Sequence, residues 1–227
     1  MRFYSLSDNP NKPCYVVQFK QVSLMLDTGL DISTFQHFIP LPVVEKPQAA
    51  PVYNPDMCDT DLRDVGAGAG SVAPLVDSEP EVLPPEAGLF PFPDVDAVLI
   101  SNYSCMLALP FITESPGWRG KVYATEPSIL LGRIFMEELI EYLGRTPRPQ
   151  EAKKWKTVLS QLPPPLCDIK DISNWRRLYT REMMESSLSK VQMVGFNEKT
   201  SIFGLVEISP VSSGYCLGSC NWLMTTG

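Results

Sequence analysis

Eleven of the chain's 22 prolines fall between residues 40 and 93. Proline lacks a backbone N–H and holds φ near −65°, so a stretch this rich in it sustains neither a long helix nor the middle of a sheet. The same stretch contains Gly66-Ala-Gly-Ala-Gly70 and shows no lasting apolar period. Residues 45–97 also carry eleven Asp and Glu against only Lys46 and Arg63, so they account for more than the whole net charge of −7. Residues 45–94 therefore read as an acidic Pro/Gly-rich insert, a loop or disordered segment. Strand-like sequence resumes at once after it, so the insert interrupts one domain (1–44, then 95–227) instead of linking two.

The flanking sequence is of a different kind. Cys14 to Phe19 and Val22 to Leu26 are short runs of β-branched and apolar residues bounded by turn formers, which predicts two strands. Asp96 to Ser101 and Lys121 to Thr125 predict two more. Ile129, Leu130, Ile134, Phe135, Leu139 and Leu143 recur at helical period, with Pro127 in the first turn and Gly144 and Pro147 as stops. This predicts a helix over 127–143, with Thr125 or Glu126 as its cap. A second helix is expected from Thr180 to Val191, capped by Thr180. Val191 to Phe196 and Ser201 to Ser209 read as a hairpin around Asn197-Glu-Lys-Thr, and Trp222 to Thr225 as a further strand. Strands followed by strand–helix alternation imply an α/β domain with helices covering sheets.

The apolar share, 44% with ten Phe, eight Tyr and four Trp, suffices for a packed core. No apolar run is long enough to span a bilayer, and the first residues lack the apolar stretch of a secretory signal, so an intracellular protein without a membrane partner is expected. The six cysteines form no CxxC pair and read as reduced, mostly buried thiols. The lone histidine, His37, sits between Phe35 and Phe38 and reads as a packing residue. Lys121, Arg133, Arg176 and Arg177 are the basic residues that could meet an anion, without a clear stripe among them.

Three strand ends draw attention: Leu24-Met-Leu-Asp27-Thr-Gly29, Val98-Leu-Ile-Ser101-Asn102-Tyr103-Ser104-Cys105 running on to Ala108-Leu-Pro110, and Ser213-Gly-Tyr215-Cys-Leu-Gly218-Ser. Together they resemble the RNA-processing branch of the metallo-β-lactamase family, the β-CASP proteins. Active members place His-x-His-x-Asp-His after the second strand and Gly-His-x-Leu-Gly at the third motif, and these residues hold two zinc ions that activate water against a phosphodiester. This chain has Asn102, Ser104 and Tyr215 where the imidazoles would stand, and no counterpart of the Asp-His pair. Neutral amides and hydroxyls are poor zinc ligands beside imidazole. The resemblance therefore implies a pseudoenzyme without catalytic, metal or cofactor residues. Asp27 is expected to persist as a turn carboxylate that accepts backbone N–H groups, Asn102 and Ser104 to bond nearby backbone, and Tyr215 to fill the vacated histidine space.

Two inactive branches of the family serve nuclear RNA-processing complexes, one in mRNA cleavage and polyadenylation and one in the Integrator complex. The strings Cys14 to Asp31, Val122-Tyr-Ala-Thr-Glu-Pro127, Gly132-Arg133 with Met136-Glu-Glu-Leu139, Trp175-Arg-Arg, Ser187-Leu-Ser-Lys190 and Ser212 to Trp222 resemble the second. The resemblance implies a non-catalytic partner of the Integrator endonuclease subunit, forming a heterodimer within the larger assembly and meeting RNA through the complex. It implies a nuclear location, with a cytoplasmic stage before assembly. Family members are severalfold longer, so an incomplete four-layer αββα sandwich is expected, cut before the β-CASP domain. An unfinished sandwich would expose sheet edge and apolar face.

Overall fold

The computed structural model describes residues 1–7, 9, 12–19, 21–38, 62–64, 74–76, 78–86, 88–145, 154–157, 166–169, 172–226 of the chain. In chain order the elements are β1 (Arg2–Ser5), β2 (Tyr15–Phe19), β3 (Val22–Leu26), β4 (Leu62–Asp64), β5 (Pro74–Val76), β6 (Ala97–Leu99), α1 (Leu109–Thr113), β7 (Lys121–Ala124), α2 (Glu126–Gly144), α3 (Lys154–Thr157), α4 (Arg181–Ser189), β8 (Val191–Met193), β9 (Thr200–Ile202), β10 (Val206–Ser212) and β11 (Cys220–Thr226). They divide into two compact units. One comprises Met1–Asp31, Pro84–Ile140 and Tyr179–Gly227, the other Ile32–Leu83 and Glu141–Leu178.

The first unit is built on a six-stranded sheet in the order β1-β2-β3-β6-β7-β8. β1, β2 and β3 are joined antiparallel, and β3, β6, β7 and β8 run parallel. Register places Val16, Met25, Val98, Val122 and Val191 in one row across the sheet. The first four of these are fully buried. On the opposite face, in the two rows flanking this one, Leu24, Ala97, Leu99 and Tyr123 are buried as well. Burial on both faces is what a parallel sheet demands, and it explains why these strands read as unbroken apolar runs.

One face packs on a second sheet, β11-β10-β9, all antiparallel. Val22, Leu24, Ala97, Leu99, Tyr123 and Val194 meet Ile202, Val206 and Ile208 there, with Trp222 and Met224 at the margin. The other row is buried together with Leu109 and Ile112 of α1, Met136 of α2, and Met184 and Leu188 of α4. The Thr113 hydroxyl donates to Ser187 Oγ at 2.8 Å, tying α1 to α4. The described part of this unit is thus α/β in three layers, helices on sheet on sheet. On the outward side of the second sheet Asn221, Leu223 and Thr225 of β11 are exposed, and Glu207, Ser209 and Val211 of β10 are half-buried.

α4 begins where expected: the Thr180 hydroxyl accepts the Met183 N–H at 3.3 Å, an N-cap bond worth about 1 kcal/mol. The hairpin expected around Asn197-Glu-Lys-Thr does not form. β8 lies in the large sheet and β9 in the small one, so residues 194–199 cross between sheets. Asn197, at φ 61°, donates its N–H to the Pro210 carbonyl at 2.8 Å, and the Glu198 carboxylate accepts the Gly195 N–H at 2.7 Å. Those bonds stabilise a crossing, not a return. The real hairpin joins β9 to β10 through Phe203-Gly204-Leu205, with φ positive at Phe203 and Gly204. A non-glycine residue at positive φ goes unnoticed when a sequence is scanned for Asn-Gly or Asp-Gly.

The second unit draws on the acidic segment. β4 and β5 pair antiparallel, Phe38 bridges Val76, and Val82 bridges Arg176 with both backbone bonds at 2.8 Å. Phe38, Val76, Trp155, Leu166, Ile172 and Trp175 form its core, their rings meeting edge-on and tilted. A proline-rich acidic stretch gives no sign of its distant pairing partners, and within it Val76 and Val82 are fully buried. Most of residues 45–73, including Cys58, and the expected helix stop Pro147 lie outside the described residues. No helix among the described residues is long and apolar enough to cross a membrane.

Ile208 is fully buried between the two sheets. Ile208→Ala leaves a cavity there, and a loss of about 2–5 kcal/mol is expected in the urea-unfolding midpoint analysis of the chain.

Candidate functional site

β3, β6 and β7 are parallel neighbours, so their carboxyl ends lie side by side, the position where α/β sheets gather functional groups. Asp27, Ser101 and Thr125 follow those three strands closely. The Asp27 N–H extends the ladder to the Leu99 carbonyl at 3.0 Å, and Asp27 then turns with φ 62°, a conformation Asp tolerates better than most residues. Its carboxylate accepts the Ser101 N–H at 2.7 Å and the Ser101 hydroxyl at 2.8 Å. Burial pushes the carboxyl up from 3.8 to about 6, while the two Ser101 bonds pull it partly back. Gly29 follows at a close approach: a Cβ there would stand 2.5 Å from the Lys12 carbonyl carbon.

Asn102 caps the 3₁₀ turn Tyr103–Met106. Its Oδ1 accepts the Ser104 N–H at 3.0 Å, the Cys105 N–H at 3.3 Å and the Ser104 hydroxyl at 2.7 Å. Its Nδ2 donates to Ser101 Oγ at 3.1 Å and lies 3.2 Å from Cys105 Sγ. Asn102 and Ser104 are therefore occupied with their own loop, as the sequence suggests. Thr28 fixes that loop from the other side, through N–H and hydroxyl bonds of 2.7 and 3.0 Å to the Cys105 carbonyl.

The third motif is the loop between β10 and β11. It is closed by bonds among Ser213, Cys216 and Ser219, the shortest being the Ser219 hydroxyl to the Cys216 carbonyl at 2.7 Å. Gly218, at φ 81°, presses against α2, where a Cβ would come within 2.8 Å of Ser128 N. Its carbonyl accepts the Thr125 hydroxyl at 2.6 Å and the Ser128 hydroxyl at 3.2 Å. Tyr215 does not fill a vacated histidine space. It is 76% exposed, because the closed loop between the left-handed Gly214 and Gly218 leaves its ring in solvent. Residues that carry no motif tie the region together: the Cys220 N–H donates to the Ser101 carbonyl at 2.8 Å and the Trp222 indole to the Ile100 carbonyl at 3.2 Å. The sequence offers Thr125 as a helix cap but carries no sign of the bonds from Thr125 and Ser128 to Gly218.

The donor set does not fit a zinc pair. Asn102 and Ser104 offer neutral groups already engaged, Tyr215 faces away, and Asp27 has both oxygens on Ser101. The nearby thiols are held protonated. Burial first, and the Asp27 charge second, push Cys105 up to about 11 and Cys220 up to about 12, and raise Cys14 further. Among the described residues no three His, Cys, Asp or Glu side chains are grouped to hold a metal ion. His37 belongs to the second unit, where it stacks on Trp175 at 5.8 Å and its basicity is lowered by burial. Three of the four basic candidates have partners at home. Arg133 pairs with Glu137 and Glu185, Arg177 with Glu79, and Arg176 donates to the Ser173 and Trp175 carbonyls.

The chain is similar over 99% of its length to proteins named Integrator complex subunit 9, with 44% identity to those of Bos taurus and Homo sapiens. A homolog from Dictyostelium discoideum is 27% identical over the same share. The chain spans 34% of the Bos taurus protein, about a third. No family model matches. Solved structures it resembles include the Rm3 metallo-beta-lactamase, at 12% identity and a TM-score of 0.40, covering 99% of this chain and 54% of that one. A metallo-beta-lactamase family protein from Thermus thermophilus resembles it at 12% identity and a TM-score of 0.38, covering 97% and 55%.

Asp27 ionises near 6 when folded and near 3.8 when not, so between those values the unfolded chain holds fewer protons. The contribution of this group to stability therefore falls as pH rises through that window and is fully lost above about 6. Asp27→Asn removes the dependence. Relative to the parent chain, the variant is expected to gain stability from pH 4 to pH 7 in urea-unfolding curves; parallel curves for the two would refute the assignment.

Proposed function

We propose that this chain is part of a non-catalytic subunit of the Integrator complex, the metallo-β-lactamase-like partner of the complex's endonuclease subunit. The similarity to Integrator complex subunit 9 along 99% of the chain carries the reading. The chemistry of the strand-end loops supports it. Groups standing where the family places imidazoles are spent on capping a turn and on solvent, and the buried thiols nearby stay neutral. A loop region kept this well bonded without ligands is explained by the surface it shapes, not by a reaction in it.

On this reading the whole subunit continues into the rest of the lactamase-like domain, a β-CASP domain and a carboxy-terminal region that pairs with the nuclease. It acts in the nucleus after cytoplasmic assembly, in small nuclear RNA 3′-end processing and in cleavage and attenuation of RNA polymerase II transcripts. RNA is met through the complex. The ion pairs of Arg133 and Arg177 argue against an independent anion-binding face on this chain.

Co-purification with the Integrator endonuclease subunit tests the pairing. A version extended to the length of the relatives is expected to bind, and the 227-residue chain to bind far more weakly. Failure of the extended form overturns the proposed pairing. Metal analysis of the same preparations is expected to find zinc well below one equivalent per chain; stoichiometric zinc would overturn the non-catalytic assignment.

A further inference from the structure

The outer face of α2 belongs to none of the motifs above. Met136 of this helix is buried, and Gly132 is packed so closely on Met106 that a Cβ would overlap its sulfur. The opposite face is apolar too. Leu130 is 57% exposed, Ile134 53% and Phe135 46%. Leu130 and Ile134 stand one helical turn apart, so their side chains meet along the axis. The half-buried Tyr103 ring stacks on Phe135 at 4.9 Å with 15° between the planes, which widens the patch. A helix that is apolar on both faces is one that is normally covered on both.

The unpaired charges at the ends of the patch have one sign. Glu126 and Glu138 lie beyond its two ends and have no cationic partner among the described residues. Arg133, the basic residue of this face, is already neutralised by Glu137 and Glu185. Twelve residues separate Glu126 from Glu138, roughly 18 Å at 1.5 Å per residue.

We propose that the outer face of α2 is a docking surface for a basic amphipathic helix of a partner protein. Apolar side chains at i, i+4 and i+7 of that helix cover Leu130, Ile134 and Phe135, and Lys or Arg about three turns apart reach Glu126 and Glu138. A second copy of this chain fits the face poorly. Antiparallel packing about a two-fold axis would set Glu126 of one copy against Glu138 of the other, and parallel packing would oppose each Glu to itself. Like charges across an apolar contact cost affinity, whereas a basic partner gains it and associates faster at low salt. The inference rests on α2 alone and does not depend on the proposed function.

The test uses the full 227-residue chain and a fluorescein-labelled 14-residue Leu/Lys peptide designed as an amphipathic helix, read by anisotropy. Two controls keep the leucines: one replaces Lys by Glu, and one scrambles the order so that no apolar face forms. The helical Lys peptide is expected to bind most tightly, and more weakly as salt rises. Leu130→Ser with Ile134→Ser is expected to raise its Kd at least tenfold. Glu126→Gln with Glu138→Gln, a milder change that leaves the apolar patch intact, is expected to raise it several-fold. Circular dichroism melts establish that each variant is folded. Unchanged affinity in the Ser variant, or equal binding of either control, overturns the proposal. So does a concentration-dependent dimer that the Ser substitutions dissolve, since that assigns the face to a second copy.

Discussion

A buried carboxylate destabilises a fold unless its oxygens are satisfied. At Asp27 both are satisfied by one residue, through the Ser101 N–H and the Ser101 hydroxyl. The same Ser101 gives its carbonyl to Cys220 at the start of β11. Three chain segments of very different sequence position, the turns after β3 and β6 and the entry to the second sheet, are thereby fixed by one backbone unit and one hydroxyl. The Asn102 amide reaches back to the same hydroxyl. The strand-end loops keep a defined shape because this junction leaves them little freedom, and no bound group is needed to hold them.

That junction also sets the local electrostatics. Cys105 and Cys220 are shifted by burial and then by the charge of Asp27, and Cys14 likewise. A negative charge among thiols opposes thiolate formation, the reverse of the electropositive setting that makes cysteine reactive or metal-binding. The carboxyl is itself pushed toward neutrality by the burial that its neighbours impose. Asp27 is thus better suited to holding a turn than to holding a cation, and the turn and the buried thiols around it share one physical setting.

Much of this could be read from the chain. Val22–Leu26 and Lys121–Ala124 announce themselves because a strand buried on both faces is apolar throughout, and α2 because its apolar period runs through five turns between a proline and a glycine. The capping role of Asn102 follows from its place before a short turn. What escaped reading depends on distant partners. Val76 and Val82 sit in acidic, proline-rich sequence, and only pairing with Phe38 and Arg176 makes them interior. The crossing at residues 194–199 was hidden because Asn197-Glu-Lys-Thr has hairpin chemistry, while the Pro210 carbonyl that redirects it lies on another strand. The place of Tyr215 in its motif gives no sign that its ring lies in solvent. Its exposure comes from the closed Ser213–Ser219 loop, whose bonds are made between side chains and backbone that no period reveals.

The same distinction separates the two faces of α2. Period analysis marks Leu130, Ile134 and Phe135 as the apolar stripe and passes over Met136, because a sequence records hydrophobicity and not which side the interior occupies. The interior takes the side of Gly132 and Met136, where glycine allows Met106 to press against the helix backbone. The remaining apolar residues are left in water, at a free-energy cost that scales with area at roughly 25 cal/mol per Å². Single exposed apolar residues are ordinary, but a contiguous set reinforced by the Tyr103–Phe135 stack is not. Tyr103 lies between Asn102 and Ser104, so the turn that capping by Asn102 holds in place also presents one ring of the outer patch. The loop that Asn102 caps is in this way also part of the scaffold of a surface.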